Sequence, residues 1–331
     1  MGKGPKNAKN TLIIFLTFFF ALSASGCGQK AAAKTEQTFL LDTIVSVTYY
    51  DDADRAAVLE ALDLCAWYEL VFSRTKPESE LYRLNAAGSM AVSPDLREVL
   101  ALALEYCRES GGRYDVTMGA VSALYDFSGD AHFPGGAAIS EALSHVGWEN
   151  IRIDGDTVTL TDPAAVIDLG SIAKGWIADR MKDLLTERGV KHAILSLGGN
   201  VLCLGGKPDG SDYVIGIQYP ERESTALAAK VAVREESVVT SGVYERFFVE
   251  NGVTYSHLLD PATGLPLQTG LLAVSVVGPC SARCDALSTV CFALGAEDGI
   301  ALIDSLDGYE AIFIQADGTQ VRSAGFGALE A

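Results

Sequence analysis

The chain is poor in histidine and in basic residues. It has four His among 331 residues, and its 25 Lys and Arg are outnumbered by 43 Asp and Glu, which gives a formal charge of −18. A chain this acidic has no general attraction for a phosphate backbone, so we expect no nucleic-acid partner. A phosphate-bearing ligand would need a bound cation or a local cluster of hydrogen-bond donors.

Several common site signatures are also absent. Neither the P-loop pattern GxxxxGK[ST] nor the dinucleotide-binding pattern GxGxxG occurs. Cys280 and Cys284 have no second cysteine pair beside them, so we expect no zinc site. Six cysteines besides Cys27 could form disulfides in an exported protein, but their spacing leaves the pairing open. They are Cys65, Cys107, Cys203, Cys280, Cys284 and Cys291.

The N-terminal segment has the pattern of an export signal. It begins with three lysines and no acidic residue, and an apolar run follows from Leu12 to Leu22. That run is too short for an ordinary membrane span, and small residues lie directly before Cys27. We predict a lipoprotein signal peptide over 1–26, with Cys27 lipidated and holding the protein on the bacterial cell membrane, outside the cytoplasm. The alternative is a plain secretory signal followed by a chance Cys.

The rest of the chain predicts one α+β unit. Residues 27–36 are small and polar and form the predicted tether, and the catalytic domain is predicted over 37–331. Strands and helices are grouped rather than strictly alternating, which argues against a doubly wound sheet. The main predicted helices cover 56–71, 93–109, 172–188 and 281–294, and predicted strands include 39–50, 165–169, 193–197 and 271–277. No internal repeat or long low-complexity linker is visible.

The run Asp168–Gly175 combines a glycine turn with the start of a helix. Amide groups at a helix start favour an anion, whereas Lys174 in the first turn opposes the helix dipole. A lysine placed to meet a phosphate would explain this arrangement, and a solvated surface lysine is the alternative. Gly198 and Gly199 lie between two strands, where a close ligand approach and a tight strand turn are both open.

Two further runs carry polar side chains suited to catalysis. His257 lies three residues before Asp260, and a histidine near a carboxylate can act as a general base or orient a phosphate. Asp285 and Thr289 are four residues apart on a predicted helix, so their oxygens share one face. A carboxylate with a hydroxyl suits Mg²⁺, which keeps several waters and takes other ligands from phosphate.

Seven runs together resemble the motifs of one family, the FAD:protein FMN transferases, long labelled thiamine-biosynthesis lipoproteins. In chain order they are Phe72–Asn85, Tyr114–Gly119, Asp168–Gly175, Leu197–Asn200, Ser241–Glu245, His257–Gly264 and Asp285–Thr289. Each run is weak alone, but together they follow the family's order over nearly the whole mature chain. Leu41 and Ser171 depart from the family's usual Met and small Gly or Ala.

The resemblance implies a Mg²⁺ site and a binding site for FAD. Mg²⁺ would be held by Asp285, Thr289 and the backbone carbonyl of Ser171. Because the ligand at this position is a backbone group, a serine in place of the family's Gly or Ala does not disturb it. His257 would take the acceptor's hydroxyl proton or steady the phosphate. The residues implied to bind FAD are Leu41, Thr117, Met118, Gly119, Asp168, Lys174, His257 and Leu259.

The resemblance also implies an activity. The family moves FMN from FAD to a Ser or Thr hydroxyl of an acceptor flavoprotein and releases AMP, a phosphoryl-type transfer. Two alternatives stay open: a Mg²⁺-dependent FAD pyrophosphatase that uses water as the acceptor, and a flavin-binding lipoprotein without turnover. The sequence does not identify the acceptor or the oligomeric state.

Overall fold

A computed structural model describes residues 32–127, 131–220 and 226–331. The predicted signal peptide and Cys27 lie outside the described residues. The first strand begins at Lys34, three residues before the predicted start of the domain at 37, so part of the predicted tether belongs to the fold. None of the described helices is long and apolar enough to cross a membrane.

The described residues form eight α-helices and fifteen β-strands. The helices are α1 (Arg55–Phe72), α2 (Glu80–Ala87), α3 (Pro94–Glu109), α4 (Gly119–Tyr125), α5 (Gly136–Leu143), α6 (Ala173–Glu187), α7 (Ser281–Leu294) and α8 (Ala296–Asp304). The first eight strands are β1 (Lys34–Leu40), β2 (Thr43–Tyr49), β3 (Ser89–Ala91), β4 (Ile151–Asp154), β5 (Thr157–Leu160), β6 (Ala193–Leu197), β7 (Asn200–Leu204) and β8 (Tyr213–Gln218). The others are β9 (Leu227–Val233), β10 (Ser237–Gly242), β11 (Phe247–Glu250), β12 (Val253–Ser256), β13 (Leu271–Gly278), β14 (Glu310–Gln315) and β15 (Gln320–Arg322).

An eight-stranded antiparallel sheet forms the centre of the fold, in the order β1-β2-β6-β7-β10-β13-β14-β15. Alternate side chains point to opposite faces, as the buried Val45 and Val47 in β2 illustrate. One face packs against helices that include α1, α6 and α7. A smaller core on the other face lies under the β8–β9 hairpin. The α+β prediction is confirmed, and six described cysteines are free.

Strand β1 runs alongside helix α1. At the beginning of both, Lys34 pairs with Asp52 and the Arg55 guanidinium with Glu36. At their far end, the backbone N–H of Leu41 donates to the Glu69 carboxylate at 2.8 Å. Chain entry at Lys34 and the turn at Leu41 therefore lie at opposite ends of this pair.

Two predicted strands are wrong. The run 39–50 is not one strand, because Leu41 and Asp42 adopt positive φ angles of 55° and 57° and make the turn of a β1–β2 hairpin. Neither residue is a glycine, so nothing in the apolar pattern indicated the break. The run 165–169 has a single parallel bridge, between Met118 and Val166, and is otherwise an extended loop. Three helices were missed, namely α2, α4 and α5.

Candidate functional site

The loop before α6 is fixed from two sides. The Asn85 side chain donates to the carbonyl oxygen of Ile167 and accepts from its N–H, both at 2.9 Å. The next N–H, that of Asp168, donates to the Val116 carbonyl at 2.7 Å. Both backbone bonding groups of Ile167 and the N–H of Asp168 are thus held, which sets where the Asp168 side chain can point.

Asp168 gathers partners from two distant parts of the chain and from its own loop. Its carboxylate accepts from Arg74 Nε at 2.7 Å, from Ser122 Oγ at 3.2 Å and from the Gly170 N–H at 2.9 Å. The Arg74 and Asp168 side chains remain about a quarter exposed. Arg74 carried no signal of its own in the sequence, because it lies 94 positions from Asp168 and is not a position of the Phe72–Asn85 run that suggests a ligand.

Asp285 joins the starts of two helices. It is the fifth residue of α7, and its Oδ2 accepts from the Gly175 N–H of α6 at 2.9 Å. Its Oδ1 lies 3.6 Å from Lys174 Nζ, which also donates to the Gly170 carbonyl at 2.9 Å. The carboxylate is almost completely buried, yet the Lys174 amine beside it is more than a quarter exposed.

This contact leaves the Ser171 carbonyl free. In a regular helix the N–H of Gly175 would donate to that oxygen, but it donates to Asp285 instead. The described part of the chain contains no hydrogen bond to the Ser171 carbonyl. The Ser171 hydroxyl points elsewhere and donates to the Tyr114 hydroxyl at 2.9 Å.

Thr289 is one helical turn beyond Asp285 and is partly exposed. Its hydroxyl lies 3.1 Å from Ser241 Oγ, which in turn is 2.8 Å from Ser288 Oγ. Within the described residues, no three His, Cys, Asp or Glu side chains come together as metal ligands. One carboxylate, one hydroxyl and one free carbonyl are nevertheless oxygen donors of the kind Mg²⁺ accepts alongside water and phosphate.

His257 contacts a backbone carbonyl rather than a carboxylate. Its Nδ1 is 3.2 Å from the Arg246 carbonyl oxygen, which also accepts from the His257 N–H at 3.0 Å. Because a carbonyl can only accept, Nδ1 carries the proton and Nε2 the lone pair. Burial and the Arg246 charge lower the pKa of the imidazole to about 4, so the ring is neutral at pH 7.

Asp260 does not assist His257. Its carboxylate accepts from the Ala262 N–H at 2.9 Å and from the Thr263 hydroxyl at 3.1 Å, so it shapes the turn that follows. The sequence pattern suggested a partner because only three residues separate the two side chains. In the structure the Asp260 carboxylate bonds instead to two groups of its own turn, one backbone N–H and one hydroxyl.

Glu245 and Arg246 are further polar residues that the sequence analysis did not assign. Protein around the Glu245 carboxyl raises its pKa to about 7, with Lys174 opposing and Asp285 reinforcing the shift. The charges of Lys174, Asp168 and Arg246 also shift the pKa of His257. Histidine, lysine, arginine and carboxylate groups from distant parts of the chain therefore share one site.

The remaining predicted flavin-binding residues differ in exposure. Thr117 is fully buried, and its hydroxyl donates to Asp115 at 2.6 Å and accepts from Gly147 at 2.8 Å. Gly119 lies against Val166, where a Cβ would come within 2.6 Å of the carbonyl oxygen. Met118 is 9% exposed, and Leu41 and Leu259 are partly exposed. Flavin contacts at these positions stay predictions.

Residues 41–313 match the model of the ApbE family. The FAD:protein FMN transferase of Treponema pallidum (strain Nichols) is 36% identical over 324 residues, covering 90% of this chain and 90% of that protein. The FAD:protein FMN transferase of Klebsiella pneumoniae (strain 342) is 32% identical over 267 residues, covering 79% and 83%.

Solved structures show the same similarity. The ApbE protein from Thermotoga maritima superposes with a TM-score of 0.83 at 27% identity, covering 91% of this chain and 100% of that chain. The flavin transferase ApbE from Vibrio cholerae gives a TM-score of 0.80 at 25% identity, covering 90% and 100%.

Proposed function

This chain belongs to the ApbE family, and from that membership we propose that it transfers FMN from FAD to a Ser or Thr hydroxyl of an acceptor flavoprotein. The acceptor oxygen forms a bond to the phosphorus of the FMN half, and the bond from that phosphorus to the AMP oxygen breaks. The hydroxyl proton leaves the acceptor, and AMP is released. The names of the relatives and the order of the motifs support this reaction.

The reaction requires positive charge beside a pyrophosphate, on a chain whose formal charge is −18. Lys174 supplies one such charge, and its Nζ is only partly engaged by Gly170 and Asp285. Arg74 and Arg246 supply two more near Asp168 and His257. We assign these three side chains to neutralising the phosphates and positioning them for in-line attack.

We assign Mg²⁺ to Asp285, Thr289 and the Ser171 carbonyl. The observation that carries this assignment is the free carbonyl of Ser171, whose usual helical partner donates to Asp285 instead. A buried carboxylate beside an unbonded carbonyl and a hydroxyl fits a hard cation. When bound, Mg²⁺ would neutralise charge on the phosphate oxygens.

His257 is assigned as the base that removes the acceptor's proton. Its imidazole is neutral at physiological pH, and the contact of Nδ1 with the Arg246 carbonyl leaves Nε2 able to accept. A base with a low pKa has a small driving force for taking a proton, so positioning accounts for most of its effect.

Export and anchoring are assigned from the N-terminal sequence. The basic start, the short apolar run and the small residues before Cys27 support a lipoprotein signal. We propose that the mature protein is attached to the membrane through lipidated Cys27 and acts outside the cytoplasm. The acidic body repels anionic lipid, so the acyl chains would provide the attachment.

Incubation of the purified protein with FAD, Mg²⁺ and a candidate acceptor flavoprotein tests the proposal. Covalent flavin on the acceptor, with AMP released in equal amount, is the expected result. Free FMN without labelled acceptor would instead indicate a pyrophosphatase, and no turnover would indicate a binding protein. Full transfer in excess EDTA would contradict the Mg²⁺ assignment.

A further inference from the structure

Helix α1 has an exposed apolar face. Its core face includes Val58 and Phe72, which are buried. On the opposite face Leu59 is 38% exposed, Trp67 is 49% exposed and Leu70 is 42% exposed. Because an α-helix turns about 100° per residue, Leu59 and Leu70 lie about 20° apart around its axis, and Trp67 lies about 60° from Leu70. The three side chains therefore share one side of the helix, directed away from the main sheet.

This face is the most apolar exposed surface on a single element. Helix α1 carries three of the ten large apolar side chains that are exposed in the described residues, more than any other described helix or strand. Together with the residues between them they form the α1 stripe, which consists of Leu59, Asp63, Ala66, Trp67 and Leu70. Asp63 is its one charged residue. A row of exposed apolar side chains on one helix face is typical of a contact surface.

The α1 stripe lies on the side of the fold where the chain enters. Lys34, the first residue of β1, pairs with Asp52, which lies just before α1. Cys27 is seven positions before Lys34, and those residues extend over at most about 25 Å. A protein anchored through Cys27 therefore keeps the start of α1 close to the lipid.

A short tether makes a weak surface contact effective, because it holds the two surfaces at a high local concentration. Three apolar side chains that would not bind a free protein to lipid can then stay in contact. Tryptophan suits the boundary between water and membrane, since its ring is apolar and its N–H is polar. The stripe has no basic residue, so its contact does not depend on anionic lipid. The Asp63 carboxylate would remain hydrated among the headgroups.

We propose that the α1 stripe rests on the membrane surface to which the protein is anchored, with Trp67 and Leu70 at the boundary between headgroups and acyl chains. This inference rests on the proposed anchoring through Cys27. The occupant is the lipid surface because the tether is short and joins the fold beside this helix. Two copies packed through the middle of the stripe would bring their Asp63 carboxylates near each other, which like charges disfavour.

The test measures whether Trp67 lies at the lipid. The lipidated wild-type protein is reconstituted into vesicles of neutral phosphatidylcholine, with or without bromine atoms on the acyl chains near the headgroups. Bromine quenches tryptophan fluorescence only at close range, so quenching reports an indole ring at the membrane. Trp67→Phe removes this indole but keeps an aromatic surface, and its emission gives the background from Trp148 and Trp176.

A variant with charges in the α1 stripe tests the contact itself. Leu59→Glu with Leu70→Glu places a carboxylate on either side of Trp67 along the helix. The matched control is Val214→Glu with Leu227→Glu, which alters similarly exposed apolar residues (40% and 44%) on the β8–β9 hairpin at the other face of the main sheet. Equal urea midpoints in detergent show that both variants are folded.

We expect brominated lipid to remove about half of the Trp67 emission in the wild type and in the control variant, because an interfacial indole lies beside the first acyl carbons. The loss should fall to about a tenth in the variant of the stripe, since each added carboxylate must stay in water. The Trp67 emission of the wild type should also shift to shorter wavelength on reconstitution. Quenching of the wild type is required whether or not the variant folds.

Several outcomes would overturn the membrane contact. A lipidated wild type whose Trp67 emission is the same in both kinds of vesicle would exclude it, and so would equal quenching in the variant of the stripe. A dimer of the Cys27→Ser protein in sedimentation, lost when Leu59 and Leu70 are replaced, would identify a second copy of the chain as the occupant. A wild type without acyl chains in mass spectrometry would contradict the proposed anchoring itself, and the contact with it.

Discussion

At the scale of single residues, Asp285 has two roles that the sequence could not separate. It is the only charged ligand assigned to Mg²⁺, and it also accepts the Gly175 N–H from another helix. As the fifth residue of α7, Asp285 lies close to the start of its own helix, where a negative charge is ordinarily favourable. The structure shows instead that the charge stabilises the start of α6, whose N-cap residue Ile172 makes no side-chain capping bond.

Asp285→Asn should reduce FMN transfer by about two orders of magnitude or more, the scale of losing one charge that stabilises the transition state. An amide oxygen can still accept from Gly175, so we expect a stability loss of only about 1–2 kcal/mol. Steady-state transfer and urea unfolding measure the two effects. Thr289→Val should act more weakly and be partly restored by added Mg²⁺. A folded Asp285→Asn enzyme with normal transfer in limiting Mg²⁺ would refute the metal assignment.

His257 leads to a prediction about pH. A base acts in its neutral form, and with a pKa of about 4 His257 stays neutral as the pH falls through 6.5, where an ordinary histidine would become charged. As the pH is lowered, kcat/KM for transfer should therefore fall only near pH 4 to 5, where His257 becomes protonated and can no longer act as the base. Glu245, with a pKa of about 7, also titrates in the site, so Glu245→Gln is the control that removes its contribution. A midpoint near 6.5 in both enzymes would rule out the perturbed histidine.

At the scale of secondary structure, α6 and α7 bind each other near their N-terminal ends. Asp179 of α6 accepts from the N–H groups of Ser281 and Ala282, both at 2.9 Å, and so caps α7. Asp285 of α7 returns a bond to α6 through Gly175. A Cβ at Gly175 would lie 2.2 Å from the Ser281 carbonyl oxygen, so only glycine allows this approach.

Asp179→Asn should weaken this contact without touching substrate. One amide oxygen replaces two charged acceptors, so we expect a loss of about 2 kcal/mol in unfolding free energy. The Mg²⁺ concentration for half-maximal transfer should rise about tenfold, because the assigned ligands on the two helices lose their alignment. Asp183→Asn is the control, since Asp183 is exposed and, among the described residues, its one ion pair is with Arg180, one turn away. Loss of stability with an unchanged Mg²⁺ requirement would leave Asp179 a purely structural residue.

The sequence predicted those helices whose ends are marked by capping residues or whose apolar residues are regularly spaced. Helix α3 begins at Pro94 after a Ser93 cap, and α7 covers Ser281–Leu294 as its apolar pattern indicated. The contacts that assemble the site join positions far apart in the chain, such as Arg74 with Asp168. No propensity or period encodes such pairs, because tertiary packing decides which distant side chains meet.

At the scale of the whole molecule, the proposed anchor should determine location and not chemistry. Cys27→Ser removes the residue that we propose to be lipidated, which is not among the described residues. We expect an exported, soluble protein whose transfer rate toward a soluble acceptor equals that of the detergent-extracted wild type. Membrane fractionation and covalent flavin on the acceptor measure the two properties. A soluble variant that is folded but inactive would give the anchor a direct part in catalysis.

If the protein is anchored through Cys27 as proposed, the course of β1 beside α1 limits how far the Leu41 turn can lie from the lipidated residue. The seven residues of β1 span about 23 Å from Lys34 to the turn beside Glu69. The chain from Cys27 to Lys34 adds at most about 25 Å. Under the proposed anchoring, the Leu41 turn would therefore stay within about 50 Å of the lipidated residue, and the length of chain before β1 would set that limit.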